Sequence, residues 1–312
     1  MAEPKKLPPI TSAFGKVFRS IRRREKFLSP PVAELGDKVF DAMVVAAIAK
    51  CVDYNVAVNR SRKHRDEHFM FVSGLRGICE DLISLAYISK NLPNNKSRLM
   101  HCLMQRSLAE GIRTQEKFFK ANNPFQIVVA HNKRIEHDPV ISARQQVRDI
   151  WAEYGSPRRD GPTVREMADD IGLLHTYEYI YFAASNFVHF NPGPLLKMGW
   201  GPNEGPFAFS AKSMSGYYKM LSSFYGSILF IAYQSAFPES FTTDCAKDVE
   251  VLLALIEAMK RWPEIVTFEE LNMRTPVYLL THAMRQAVPE EGKPAGGILA
   301  EIRDLGSRLG NG

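Results

Sequence analysis

The chain has 312 residues, of which 45% are hydrophobic and 24% charged, the balance of an ordinary globular protein with a sizeable core and room for one large or two modest domains. Its formal net charge is +6, and the whole excess sits in residues 1–28, where Lys5, Lys6, Lys16, Arg19, Arg22, Arg23, Arg24 and Lys26 face only Glu3 and Glu25. The rest of the chain is formally neutral, so a general basic face for nucleic acid is not implied, and a local patch stays open.

In chain order, Pro4, Pro8 and Pro9 mark residues 1–11 as a loose tail. Residues 12–28 predict a basic amphipathic helix with Phe14, Val17, Phe18 and Ile21 on one side, docked on the body with its arginines solvated; a contact with nucleic acid, anionic lipid or a partner is the other reading. A long helix is expected over 32–62, where Val39, Phe40, Met43, Val44, Ala47 and Ile48 keep a three-to-four rhythm. Asp66 is placed to open a second helix running to 90, and a third is expected over 95–121. The charged stretch 131–162 is broken by Pro139 and reads as a partly helical excursion with a loop at 155–162. Thr163 and Glu166 have the spacing of a capping box. A helix follows over 173–190, ended by Asn191-Pro192-Gly193-Pro194, and 191–210 reads as a loop or lid. Helices resume over 211–236 and 243–261, where Tyr217, Tyr218, Phe224, Tyr225 and Phe230 read as core. Beyond 263 the pattern predicts a helix at 276–287 and a Gly-rich, polar tail. Strand alternation is scarce and nothing repeats. The fold class is therefore all-α, an antiparallel bundle of long helices, divided as a basic extension (1–30), a helical bundle (31–262) and a C-terminal extension (263–312).

The four cysteines, Cys51, Cys79, Cys102 and Cys245, form no CxxC pair and predict buried, reduced thiols in a cytoplasmic protein. The run AMVVAAIA at 42–49 is too short to span a bilayer, and the N-terminus carries no secretory signal. The segment HRDEH, His64 to His68, matches the H-x-x-E-H pattern of one class of zinc peptidase, but Arg62, Lys63 and Arg65 would set cations beside a dication. A solvated helix start is the expectation there, with no metal and no cofactor. No phosphate-binding glycine loop or nucleophile elbow is present.

The richest segment is YEYIYFAASNFVHFNP. Tyr177, Tyr181, Ser185 and His189 recur every four residues, so on a helix they share nearly one face. The apolar flanks Ile180, Phe182, Ala183, Ala184, Phe187 and Val188 predict that this ladder is buried and needs polar partners. The second helix offers them: Arg76 and Glu80 are also four apart, set among Leu75, Ile78, Cys79, Leu82 and Ile83.

An R-x3-E helix, then a connection containing Trp151, then Y-x3-Y-x3-S-x3-H resembles a bacterial family of helical proteins of unknown function over about residues 35–235. The bundle with its terminal histidine is more distantly similar to HEPN-type domains, many of which are metal-independent RNases of toxin–antitoxin and phage-defence systems. There an arginine precedes the histidine by four to six residues; here Arg76, on another helix, would take that place. The resemblance implies a HEPN-like core, RNA as a partner, a homodimer, and a site of Arg76, Glu80, Tyr181, Ser185 and His189. In that chemistry His189 would take the 2′-hydroxyl proton, since an imidazole exchanges protons near neutral pH. Arg76 would face the phosphorane charge. Glu80 would orient Arg76 or His189, and Tyr181 and Ser185 would bind phosphate or relay protons. Two other readings stay open: a non-catalytic interaction protein whose polar network only sets helix register, and a small-ligand or nucleotide sensor with 191–210 as its lid.

Overall fold

The computed structural model describes residues 10–28, 31, 34–60, 68–130, 138–156, 160–198, 209–210, 214–266 and 297–309. Within them lie α1 (Ile10–Arg24), α2 (Val39–Arg60), α3 (His68–Asn91), α4 (Lys96–Asn122), α5 (Pro139–Glu153), α6 (Val164–Asp170), α7 (Leu174–Val188), α8 (Pro192–Lys197), α9 (Ser215–Ala236), α10 (Thr243–Glu257) and α11 (Ile298–Leu309). No strand occurs among the described residues, and no helix there is long and apolar enough to cross a membrane. The expected helix at 276–287, and Asp66 as the start of α3, lie outside the described residues.

The core is built around α9, which is buried on every side from Leu221 to Tyr233. A helix apolar all round needs cover all round, and α1, α2, α3, α10 and α11 supply it. Small residues of α9 let it pack tightly on α2. Asn55 Nδ2 donates to the Gly226 carbonyl at 3.0 Å and Ser223 Oγ to Asn59 Oδ1 at 2.9 Å. A Cβ on Gly226 would stand 2.6 Å from Asn55 Oδ1. Of the aromatic residues assigned to the core from spacing, Tyr218, Phe224, Tyr225 and Phe230 are buried, and Tyr217 is only partly buried against them.

Ring contacts fix the direction of the helices. Phe69 packs on Tyr218, and the Tyr233 hydroxyl donates to the Ile78 carbonyl, so α3 and α9 run the same way. Phe69 also packs on Phe187 while Arg76 reaches Tyr181, so α7 runs antiparallel to α3. The end of α6 is tied to α3 by Lys90 and Asn91, both bonded to Asp170.

Three local expectations change. Pro139 does not break a helix but begins one: as the first residue of α5 it lacks only an N–H that would have no partner there, and Asp138 caps the helix through the N–H of Val140 at 2.9 Å. The 191–210 segment is not all loop, because α8 occupies Pro192–Lys197; residues 199–208 lie outside the described ones. The C-terminal tail is not merely polar, because α11 buries Ile302 and Leu305, and Gly306 lies close enough to the Ser235 carbonyl that a Cβ would stand 2.8 Å from it. Its apolar residues fall at helical spacing, and α9 and α7 supply the cover. The Thr163–Glu166 capping box forms as its spacing predicts.

Candidate functional site

The cluster starts on α3. Arg76 and Glu80 are one turn apart, and the guanidinium Nε donates to Glu80 Oε1 at 2.7 Å. This fixes the plane of the guanidinium and leaves its Nη groups to reach across to α7. There Arg76 lies over the Tyr181 ring, 4.5 Å from its centroid, in cation–π geometry. Nη1 stands 3.2 Å from His189 Nε2 and 3.5 Å from Ser185 Oγ, the second at the limit of a hydrogen bond. Tyr177 continues the row, its ring 5.3 Å from that of Tyr181. All five residues expected to meet do meet. Trp151 is elsewhere: it is buried against Tyr87 and beneath Gly161, where the indole Nε1 would stand 2.5 Å from an added Cβ and the φ of +89° favours glycine.

The ladder is not buried, contrary to the reading of its apolar flanks. Tyr177 is the one covered rung; Tyr181 and Ser185 are half-buried and His189 is exposed. The side chains of Arg76 and Glu80 are 25% and 29% exposed. The flanks also divide. Ile180, Ala183 and Ala184 are covered, while Phe182 is 57% and Val188 51% exposed. Neighbours cover α7 on one side, and the row from Tyr181 to His189 runs along the border of the open side.

His189 lies one residue past the helix as its C-cap, with extended backbone (φ −102°, ψ 159°) and its N–H on the Ser185 carbonyl. Pro192 keeps α7 from running on, because it disfavours helical backbone at Asn191. Asn191 Nδ2 donates to Asn186 Oδ1 at 2.7 Å, and the Gly193 N–H donates to Asn191 Oδ1 at 2.9 Å, which joins the end of α7 to α8. The imidazole is thus held at a corner rather than in a helical row.

Electrostatically the pair on α3 is compact. The hydrogen bond with Glu80, opposed by partial desolvation, pushes the Arg76 guanidinium further into its charged range. Desolvation, then the Glu80 carboxylate, pushes the Tyr177 phenol up, so it stays protonated. A guanidinium can only donate, so the short approach to His189 is a hydrogen bond when Nε2 carries its lone pair and Nδ1 the proton. Among the described residues no group of three or more His, Cys, Asp or Glu could hold a metal ion. His64 and Glu67 of the HRDEH segment lie outside the described residues, and His68 is buried at the start of α3.

Two features escaped sequence reasoning. Glu301 of α11 accepts from the Thr176 N–H (3.3 Å), Thr176 Oγ1 (2.8 Å) and His175 Nδ1 (2.7 Å), and so caps the first turn of α7. A cleft lies beside the ladder, lined by Phe182, Asn186 and Asn191 among others. Neither has a local signal, since both join residues distant in the chain.

Residues 72–206 match a family of unknown function, DUF5677, a span that holds Arg76, Glu80 and the whole ladder. No curated protein and no solved structure matches the chain.

Proposed function

We propose that the Arg76–His189 cluster is the active site of an endoribonuclease-like effector. The observation that carries this reading is the guanidinium Nη1 standing 3.2 Å from an exposed imidazole Nε2. A cation and a proton acceptor side by side at a solvent-facing corner is what cleavage by an adjacent 2′-hydroxyl requires. An entering phosphate competes with Nε2 for Arg76 and takes its Nη donors, with Ser185 as a further donor. That frees the Nε2 lone pair for the 2′-hydroxyl. His189 then removes that proton, O2′ attacks phosphorus, and the P–O5′ bond breaks. The 5′ oxygen takes a proton from solvent and His189 returns its own. The products are a 2′,3′-cyclic phosphate and a 5′-hydroxyl. Glu80 keeps the guanidinium in plane, and Tyr181 supports its face. The similarity to HEPN-type domains supports a role in phage defence or a toxin module.

The test uses purified protein on end-labelled single-stranded RNA, with His189→Ala and Arg76→Ala beside wild type. Each variant is expected to lose roughly 10²–10⁴-fold in cleavage rate. Because the cluster is part-exposed, each should lose only about 1 kcal/mol of stability or less, read as an almost unchanged Tm. Expression of wild type, but not of His189→Ala, is expected to arrest growth and degrade total RNA. Intact RNA with wild-type protein, or equal cleavage by His189→Ala, removes the proposal.

A further inference from the structure

We propose that the cleft next to the cluster on α7 is a nucleobase subsite. Its place in RNA cleavage rests on the function proposed above; base binding itself stands on the cleft alone. The cleft holds about 210 Å³ between α7, α8, α9 and residues 265–266. That is below the roughly 300 Å³ at which pockets for larger small molecules begin, so the space suits one planar ring system.

Its lining fits that ligand. Phe182 presents a phenyl ring on the rim that is 57% exposed, and every base has a π face to lay on such a ring. Ala183 of α7 and Pro194 of α8 also line it. Asn186 accepts from Asn191 through Oδ1, and its amide N–H groups have no partner among the described residues. The Asn191 carbonyl accepts from Gly193, and its amide keeps one N–H beyond the bond to Asn186. The cleft therefore offers N–H donors at its edge, matched to the ring-nitrogen and carbonyl acceptors of a base.

The cleft and the cluster share α7. Phe182 and Asn186 each follow a rung of the ladder, Tyr181 and Ser185, by one residue. One residue turns a helix by about 100°, so Phe182 and Asn186 stand about a quarter turn round α7 from Tyr181 and Ser185. The same chemistry could come from an unpaired base in RNA or from a free nucleotide.

The experiment measures binding to the full chain of three probes: a 2′-fluoro single-stranded RNA, which has no 2′-hydroxyl to react; the same length with abasic sites; and a mononucleotide. Phe182→Leu removes the ring at similar volume, Phe182→Tyr keeps it, and melting curves confirm that both fold. The expected result is tight 2′-fluoro RNA binding that weakens about tenfold or more in Phe182→Leu and with the abasic probe, within the range of one base–aromatic stack, and that survives in Phe182→Tyr. Asn186→Ala should weaken base-bearing probes and leave the abasic probe unchanged. A mononucleotide bound as tightly as the oligomer supports the subsite with a free nucleotide as its ligand. Equal binding by wild type and Phe182→Leu, equal binding of the abasic probe, or no binding of any probe overturns it. The cleavage assay with His189→Ala reports separately on the catalytic reading.

Discussion

Two glycines show how a single Cβ separates close packing from open space. Gly226 sits where α9 meets α2, and an added Cβ would stand 2.6 Å from Asn55 Oδ1 and 3.0 Å from Tyr54 Cε1. Gly226→Ala is expected to cost about 1–3 kcal/mol by overpacking. Gly111 on α4 has nothing within 4 Å of that position, so Gly111→Ala should stabilise by about 0.5–1 kcal/mol through helix propensity. Thermal melts of the two variants should move in opposite directions; a shift of the same sign in both would contradict the packing described. The residue scale is also where the candidate site was most legible. Arg76–Glu80 and Tyr181–Ser185 follow from a spacing of four, which any helix turns into a shared face; His189 joins them from the C-cap, just past the helix. Their exposure was not legible. Phe182 and Val188 are as apolar as Ile180 and Ala184, and only the position of neighbouring helices separates covered from open.

Among the elements, α7 is held at both ends by groups outside itself. Its N-cap, Leu173, makes no side-chain cap, so the N–H of Thr176 and the positive end of the helix dipole are met by Glu301 of α11. Glu301 is 12% exposed, and Glu301→Ala should cost about 1–3 kcal/mol, as for charge-assisted bonds. Faster amide exchange in the first turn of α7 is the expected signature; unchanged exchange there would rule out the cap. The α4–α5 hairpin responds to acid. Arg144's hydrogen bond to Glu110, opposed by desolvation and joined by Arg106, holds that carboxyl below the ordinary carboxylate range. A lowered carboxylate adds stability that is fully present above its unfolded value near ~4.3 and fades as pH falls through the lower folded one. Exchange from α5 should therefore rise as pH drops below about 4, and Glu110→Gln should remove that part of the dependence. A wild-type profile retained in Glu110→Gln would refute the assignment.

In the whole molecule, the four cysteines are free and buried. Burial pushes the thiols of Cys51 and Cys79 up strongly and that of Cys245 to about 12. Iodoacetamide at pH 8 should leave these three unmodified in the native protein and label them on unfolding in guanidinium; rapid native labelling would show that the core opens. Periodicity and composition alone determined the helical class, most helix positions, the Thr163–Glu166 capping box and the pairing of residues four apart, because each depends on atoms within a turn or two of chain. The tertiary structure decided the rest: that α9 is enclosed, that the ladder lies at the surface, that α11 folds back to cap α7, and that Phe182 opens onto a cleft. These depend on which distant helices arrive, and no window of sequence contains the side chains that cover or uncover a face.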